Sequence, residues 1–243
     1  MAEKTDTRSR IRSKRAQQRR RNQIIIVGVV AVVAIAVTLL LVLASQPNRS
    51  AAASFEGLSQ TIDANGSLGL AIGPADAPVT LIDYSDFSCP HCYDLAPAIE
   101  RVVDEYAAAG QVRVIYKPIS FVNPPTSVPS AAAAVCAAEQ GKGWEMMSEI
   151  WALYARGGPN AYSRTLLFDS ASKLGLDMAA FETCFDAPAT LDALQGVLDE
   201  ATQMGVQGTP TVFVNGTVVA FSATESRYDT LKRVIDAALE QAG

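Results

Sequence analysis

The sequence predicts an α/β fold, in which a mixed sheet carries a helical insert subdomain and is preceded by one transmembrane helix. Three observations support this prediction: an uncharged apolar run over residues 24–44, a strand-helix-strand pattern over residues 78–116, and a C-terminal strand hairpin followed by a helix. A short strand-helix-strand connection implies a right-handed parallel crossover, and the hairpin adds antiparallel strands to the same sheet.

The N-terminal part of the chain predicts a signal anchor. Residues 24–44 contain no charged side chain and only Thr38 as a polar one. At about 1.5 Å per residue this run reaches about 30 Å, the thickness of a bilayer core. The preceding residues 1–23 are basic, which by the positive-inside rule predicts a cytoplasmic tail. We therefore expect a single-pass protein of the cell membrane whose C-terminal domain is extracytoplasmic.

A cleaved secretory signal is the alternative, because Val42-Leu43-Ala44 loosely matches a small-residue cleavage site. The apolar region of such a signal is usually about 7 to 15 residues long, which is shorter than this run and favours the anchor. Both interpretations place the following domain outside the cytoplasm.

Composition divides the chain into unlike parts. Residues 1–50 are strongly basic, whereas residues 51–243 are acidic. We expect no nucleic-acid partner, and we expect the protein to be a monomer. Residues 45–69 are rich in small and polar side chains and predict a linker with one short strand at its end. The folded domain is therefore predicted over residues 70–243.

The first half of this domain predicts two strands joined by a helix. Residues 78–87 are rich in β-forming side chains and are bounded by proline, which predicts a buried strand. Apolar side chains recur at helical spacing from Leu95 to Tyr106 and stop at Gly110, which predicts a helix. Residues 112–116 predict the second strand.

The second half predicts a helical insert and a return to the sheet. Ala-rich and Leu-rich runs broken by Gly and Pro over about residues 126–204 predict several short helices. Strands are predicted at residues 211–214 and 218–221, because Asn215-Gly216 between them favours a tight hairpin. Residues 228–239 predict an amphipathic final helix.

The motif Cys89-Pro90-His91-Cys92 lies where the first strand ends and the first helix begins. Unpaired N–H groups and the helix dipole stabilise an anion there, so we expect a lowered pKa for Cys89. His91, the single histidine of the chain, is expected to add a donor or positive charge beside that sulfur. Cys92 is expected to be more buried and to act as the resolving thiol. A stable Cys89 thiolate makes the disulfide comparatively unstable, so the pair tends to oxidise other thiols.

A structural staple or half of a zinc site is the alternative for this motif. A two-residue gap closes a very small loop, where a disulfide stabilises least. Zinc would need further ligands such as Cys136, Cys184 or carboxylates, and the sequence has no second closely spaced pair. We therefore expect no metal, and no cofactor other than a redox-active Cys89–Cys92 disulfide.

A second motif, Gly208-Thr209-Pro210-Thr211, directly precedes a predicted strand. A cis Thr209-Pro210 bond would turn the chain tightly and leave the backbone of Thr209 free to meet a substrate peptide. The alternative is an ordinary turn, because only about 5% of X-Pro bonds are cis.

The segment DYSDFSCPHCYDLAP, with GVQGTPTVFVNG later in the chain, resembles the DsbA-like thiol-disulfide oxidoreductases of bacterial envelopes. The resemblance implies a thioredoxin fold with a helical insert, Cys89 as the nucleophile, and a cis Pro210 facing Cys89 and Cys92. The Pro90-His91 dipeptide is similar to that of strongly oxidising members. The resemblance also implies folding exported proteins with free thiols as substrates, and a quinone-linked membrane oxidase as the partner for reoxidation.

Asp83 lies where this family often has a buried acid that assists proton transfer with the inner thiol. Asp86 is a rival for this role, and a structural, hydrogen-bonded Asp83 is an alternative, since a buried acid is costly without partners.

Cys136 and Cys184 lie in the predicted helical insert, and neither belongs to a closely spaced pair. In an oxidising compartment we expect them to form a structural disulfide. A shuttle that passes electrons to Cys89 is the alternative.

These patterns together predict an extracytoplasmic thiol-disulfide oxidoreductase that donates disulfides to exported proteins. An envelope disulfide reductase or isomerase is the enzymatic alternative. A disulfide-stapled interaction domain without catalysis is the alternative of another class.

Overall fold

The computed structural model describes residues 55, 57–63 and 67–242. The predicted basic tail, the predicted transmembrane helix and the first part of the predicted linker lie outside the described residues. Among the residues that are described, no helix combines the length and the apolar character needed to cross a bilayer.

The described residues contain a six-stranded mixed sheet in the order β1-β2-β4-β3-β5-β6. Its strands are β1 Gln60–Asp63, β2 Gly69–Ile72, β3 Val79–Ser85, β4 Val112–Pro118, β5 Thr211–Val214 and β6 Thr217–Val218. Strand β3 pairs in parallel with β4 and antiparallel with β5. The predicted parallel crossover and the antiparallel hairpin in one sheet are therefore both confirmed.

In the part of the chain that the structure describes, seven α-helices surround this sheet: α1 Pro90–Val102, α2 Pro124–Ala138, α3 Gly143–Gly157, α4 Arg164–Lys173, α5 Met178–Phe185, α6 Pro188–Gln203 and α7 Arg227–Ala242. A π-helical turn, Val103–Ala107, continues α1, and a 3₁₀ turn, Gly158–Ala161, follows α3. Proline occupies the first turn of α1, α2 and α6, where its missing N–H is not needed. Helices α2 to α6 form the predicted helical insert.

The alternation of β3 separates two apolar clusters on the two faces of the sheet. Leu81 belongs to the larger cluster together with Leu95 of α1, whereas Tyr84 belongs to a smaller cluster with Val197 of α6. Successive side chains of a strand point to opposite faces, so Asp83 lies on the same face as Leu81. This register directs Asp83 towards α1.

The strand predictions are confirmed in part. Strand β1 is the short strand predicted towards the end of the linker, and it pairs with β2 over its whole length, so the sheet begins at Gln60, before the predicted domain boundary at residue 70. Strand β2 is a buried four-residue segment, too short to show a period in the sequence. The predicted strand over residues 218–221 is also wrong in extent, because β6 ends at Val218. The N–H of Val219 still bonds the carbonyl of Val212, and the chain then leaves the sheet.

Candidate active site

Cys89 and Cys92 lie at the start of α1, as predicted. Cys89 is the N-cap residue with an extended backbone, and its carbonyl accepts hydrogen bonds from the N–H groups of Cys92 and Tyr93, both at 3.1 Å. Both cysteines are free thiols and both are buried, Cys92 with 1% of its surface exposed and Cys89 with 6%. The outer thiol is thus the one that a partner can reach first.

The turn before β5 faces this pair. The Thr209-Pro210 peptide bond is cis, which confirms that prediction. The Sγ of Cys89 lies 3.4 Å from the carbonyl oxygen of Thr209, to which it donates a hydrogen bond when it is protonated. Pairing of β5 with β3 brings Thr211 opposite Tyr84, so the turn lies beside the end of β3 that leads to Cys89.

The two thiols have opposite electrostatic environments. The pKa of Cys89 is lowered to about 5, first by the hydrogen bond from the Cys92 thiol and also by the backbone N–H groups at the start of α1, against the opposing effect of burial. Burial raises the pKa of Cys92 well above its ordinary value, and its hydrogen bond to Cys89 adds to this effect. The pair therefore holds one thiolate, on Cys89, and one proton, on Cys92.

His91 contributes the predicted donor to Cys89 through its backbone N–H. Its imidazole is largely exposed and lies 4.0 Å from the carboxylate of Asp94, so it points along the helix surface. The contribution of His91 to the lowered pKa of Cys89 comes from its backbone N–H.

The two aspartates before the motif have different environments. The carboxylate of Asp83 is buried beside Cys92 and accepts a hydrogen bond from Ser85 at 2.6 Å, and burial raises its pKa to about 7. The carboxylate of Asp86 accepts hydrogen bonds from the N–H groups of Ser88 at 2.8 Å and Val122 at 2.9 Å. Asp86 thus joins two loops, whereas Asp83 carries an exchangeable proton next to the inner thiol.

Similarity to known proteins identifies the family of this chain. The sequence profile of the family described as Thioredoxin matches residues 67–237. The chain belongs to the thioredoxin family.

Three similar proteins illustrate the range of this resemblance. A Na(+)/H(+) antiporter NhaA 3 of Salinispora tropica is 34% identical over 59% of this chain, and the chain spans about a fifth, 21%, of that protein's length. A probable disulfide bond formation protein D of Bacillus anthracis is 25% identical over 70% of this chain and 78% of its own. The solved structure of MdbA, a thiol-disulfide oxidoreductase from Corynebacterium matruchotii, covers 78% of this chain and 98% of its own with a TM-score of 0.62 at 20% identity. At that identity the structural likeness shows the thioredoxin fold alone.

The other two cysteines of this thioredoxin-family chain form a disulfide. Cys136 of α2 and Cys184 of α5 are joined with their Cα atoms 5.7 Å apart, as predicted. No group of three or more potential ligands that could hold a metal ion occurs among the described residues.

The sequence did not reveal the polar residues behind the inner thiol. Glu100 of α1, Ser148 and Trp144 of α3, and Tyr116 of β4 line a cavity that also contacts Cys92. Glu100 follows Cys92 at a helical spacing that places both on one side of α1, and this spacing was the one available signal. The positions of the other three depend on how α3 and β4 pack, which no local pattern encodes.

Proposed function

We propose that this chain is a thiol-disulfide oxidoreductase that donates the Cys89–Cys92 disulfide to exported proteins. The observation that carries the proposal is the asymmetry of the pair: Cys89 has a pKa of about 5, whereas burial holds Cys92 as a thiol. An asymmetric dithiol at a helix start, facing a cis-proline turn, suits stepwise exchange through a mixed disulfide.

The reaction begins with the thiolate of a substrate cysteine attacking the Sγ of Cys89 in the oxidised enzyme. The Cys89–Cys92 bond breaks, a substrate–Cys89 disulfide forms, and Cys92 leaves as a thiolate that takes a proton. A second substrate thiolate then attacks the substrate sulfur of the mixed disulfide. Cys89 leaves as a thiolate, the substrate gains its disulfide, and the enzyme holds the two electrons as a dithiol.

Each residue of the site has a role in this sequence. The low pKa of Cys89 makes it the better leaving group in the second step, which favours transfer of the disulfide to the substrate. The backbone carbonyl of Thr209, whose oxygen lies 3.4 Å from the Sγ of Cys89, is placed to meet the substrate chain in the mixed disulfide. Asp83 supplies the proton that Cys92 takes when it leaves, because its carboxyl lies beside Cys92.

We place this chemistry outside the cytoplasm, with residues 24–44 as a single membrane anchor. The uncharged run and the preceding basic tail support this placement. The disulfide between Cys136 and Cys184 supports it as well, because structural disulfides persist in oxidising compartments. Reoxidation of the dithiol then falls to a quinone-linked membrane oxidase, which the anchor would keep in the same plane.

The reduction potential of the pair tests the direction of electron flow. The full chain in detergent is equilibrated against glutathione buffers, and the fraction of protein with reduced Cys89 and Cys92 is measured by alkylation and mass spectrometry. A donor should give a value near about −120 mV, whereas a value near about −270 mV would make the protein a reductase. Cys136 and Cys184 serve as the internal control, because a structural disulfide stays oxidised throughout. A Cys89–Cys92 bond that also stays oxidised under mild reductant would indicate a staple without catalysis.

A further inference from the structure

A cavity behind the inner thiol contains more polar groups than a packed core requires. It lies between α1, α3 and the centre of the sheet, and its polar lining comes from Asp83, Cys92, Glu100, Tyr116, Trp144 and Ser148. Apolar side chains complete the walls, among them Phe55, which contacts the ring of Trp144. Polar side chains are rare in such positions unless they have partners or a role.

Two carboxyl groups line the cavity, those of Asp83 and Glu100. Asp83 is buried and faces Cys92 and Tyr116. Glu100 is only partly buried; it accepts a hydrogen bond from the hydroxyl of Ser148 at 3.0 Å and faces Asp104. The inner carboxyl thus lies beside Cys92, and the outer one is partly exposed at the surface of the protein.

Two hydrogen-bond donors that line this cavity lack hydrogen-bond partners. The hydroxyl of Tyr116 and the indole Nε1 of Trp144 are buried without a hydrogen bond to any described residue. Leaving such a donor unsatisfied is costly, so groups of this kind normally bind ordered water. Unpaired donors that line this cavity therefore point to an ordered water within it.

We propose that Glu100 is the group through which the Cys92–Asp83 pair exchanges its proton with solvent, across this cavity. The inference rests on the proposed oxidoreductase function and names a further residue for it. When the Cys89–Cys92 bond breaks, Cys92 leaves as a thiolate and takes the proton of Asp83. The Asp83 carboxylate then regains a proton from Glu100, by way of water, and Glu100 regains one from solvent.

The environment of each group suits this transfer. Burial raises the pKa of both carboxyls, so each exchanges a proton more readily near neutral pH than an exposed acid does. The route from Cys92 to solvent has no other carboxyl among the described residues that line the cavity. Glu100 is a positioning and proton-carrying residue, because it does not contact the sulfur atoms.

Single-turnover exchange of the full chain in detergent tests the proposal. The oxidised protein is mixed with dithiothreitol, quenched with acid and alkylated, and the rate is measured between pH 5 and 9. The variant Glu100→Gln should slow the exchange about tenfold at pH 7, a fraction of the effect of a direct acid–base group. Glu100→Ala should slow the exchange as well, and added formate should restore the rate of that variant, because the truncated side chain leaves room for it. Glu100→Asp should retain most of the rate, and the reduction potential should not change.

The matched control is Glu105→Gln, which removes a carboxylate that follows the same helix but pairs with Arg101 and Tyr228. Its exchange rate should equal that of the unaltered chain. A Glu100→Gln variant that keeps the normal rate, or a slowed Glu100→Ala variant that formate does not rescue, would overturn the role of Glu100. Failure of the unaltered chain to exchange at all would instead overturn the proposed function, and the inference with it.

Discussion

Replacing Asp83 with asparagine should make the reduced protein more stable above neutral pH. Burial raises the pKa of Asp83 from 3.8 to about 7, so the folded protein binds this proton more tightly than the unfolded chain does. The contribution of Asp83 to the free energy of unfolding is therefore greatest below pH 4, falls as the pH rises towards 7, and stays constant above it. At about 1.4 kcal/mol per pKa unit, the loss amounts to about 4 kcal/mol. The Asp83→Asn variant would avoid this loss, since an amide cannot ionise and its oxygen can still accept the hydrogen bond from Ser85.

Urea unfolding of the dithiol form between pH 4.5 and 8.5 measures this effect. The difference in unfolding free energy between Asp83→Asn and the unaltered chain should be small at pH 4.5 and approach about 4 kcal/mol at pH 8. The titration of Cys89 is common to both proteins and cancels in the difference. Asp86→Asn is the control and should destabilise by about 1–3 kcal/mol, because an amide cannot accept both N–H groups that Asp86 binds. A difference for Asp83→Asn that does not vary with pH would refute the reasoning.

Three further predictions concern the cysteines and His91. The rate of alkylation of Cys89 in the reduced protein should rise with a midpoint near pH 5, and a midpoint near pH 8 would show that the start of α1 does not stabilise its thiolate. His91→Ala should leave that midpoint nearly unchanged, because the backbone N–H remains; an increase of a full unit would show that the imidazole contributes. Replacing Cys136 and Cys184 together with alanine should lower the free energy of unfolding by about 2–4 kcal/mol, measured in urea, while Cys89 exchanges at its normal rate. A loss of exchange without a loss of stability would favour the shuttle.

Local signals made much of this site predictable from the sequence. The position of Cys89 and Cys92 at a helix start follows from a β-rich run that meets a helical pattern, and Thr209-Pro210 directly precedes a strand. The orientation of His91 could not be predicted in this way, because no local pattern fixes the rotamer of an exposed ring.

The residues behind the motif were predictable only in part. Asp83 could be proposed for its position in a central strand, but its burial beside Cys92 depends on the register between β3 and β4. Tyr116 reaches the cavity through the same register, and Trp144 through the packing of α3. Such contacts join segments far apart in the chain, so periodicity and turn chemistry carry no information about them. The short strand β2 escaped prediction for the same reason, since pairing with β4 defines it.

The two hydrogen bonds accepted by Asp86 have a consequence for any polypeptide that approaches this face. One of them holds the N–H of Val122, beside Phe121, and both side chains expose about two fifths of their surface to solvent, 42% and 41%. The other holds Ser88, which directly precedes the reactive cysteine. The carboxylate of Asp86 thus fixes the apolar side chains of Phe121 and Val122 relative to Cys89 before any partner binds. Docking on these side chains does not require this loop to become ordered, so the entropy cost of ordering falls on the incoming chain.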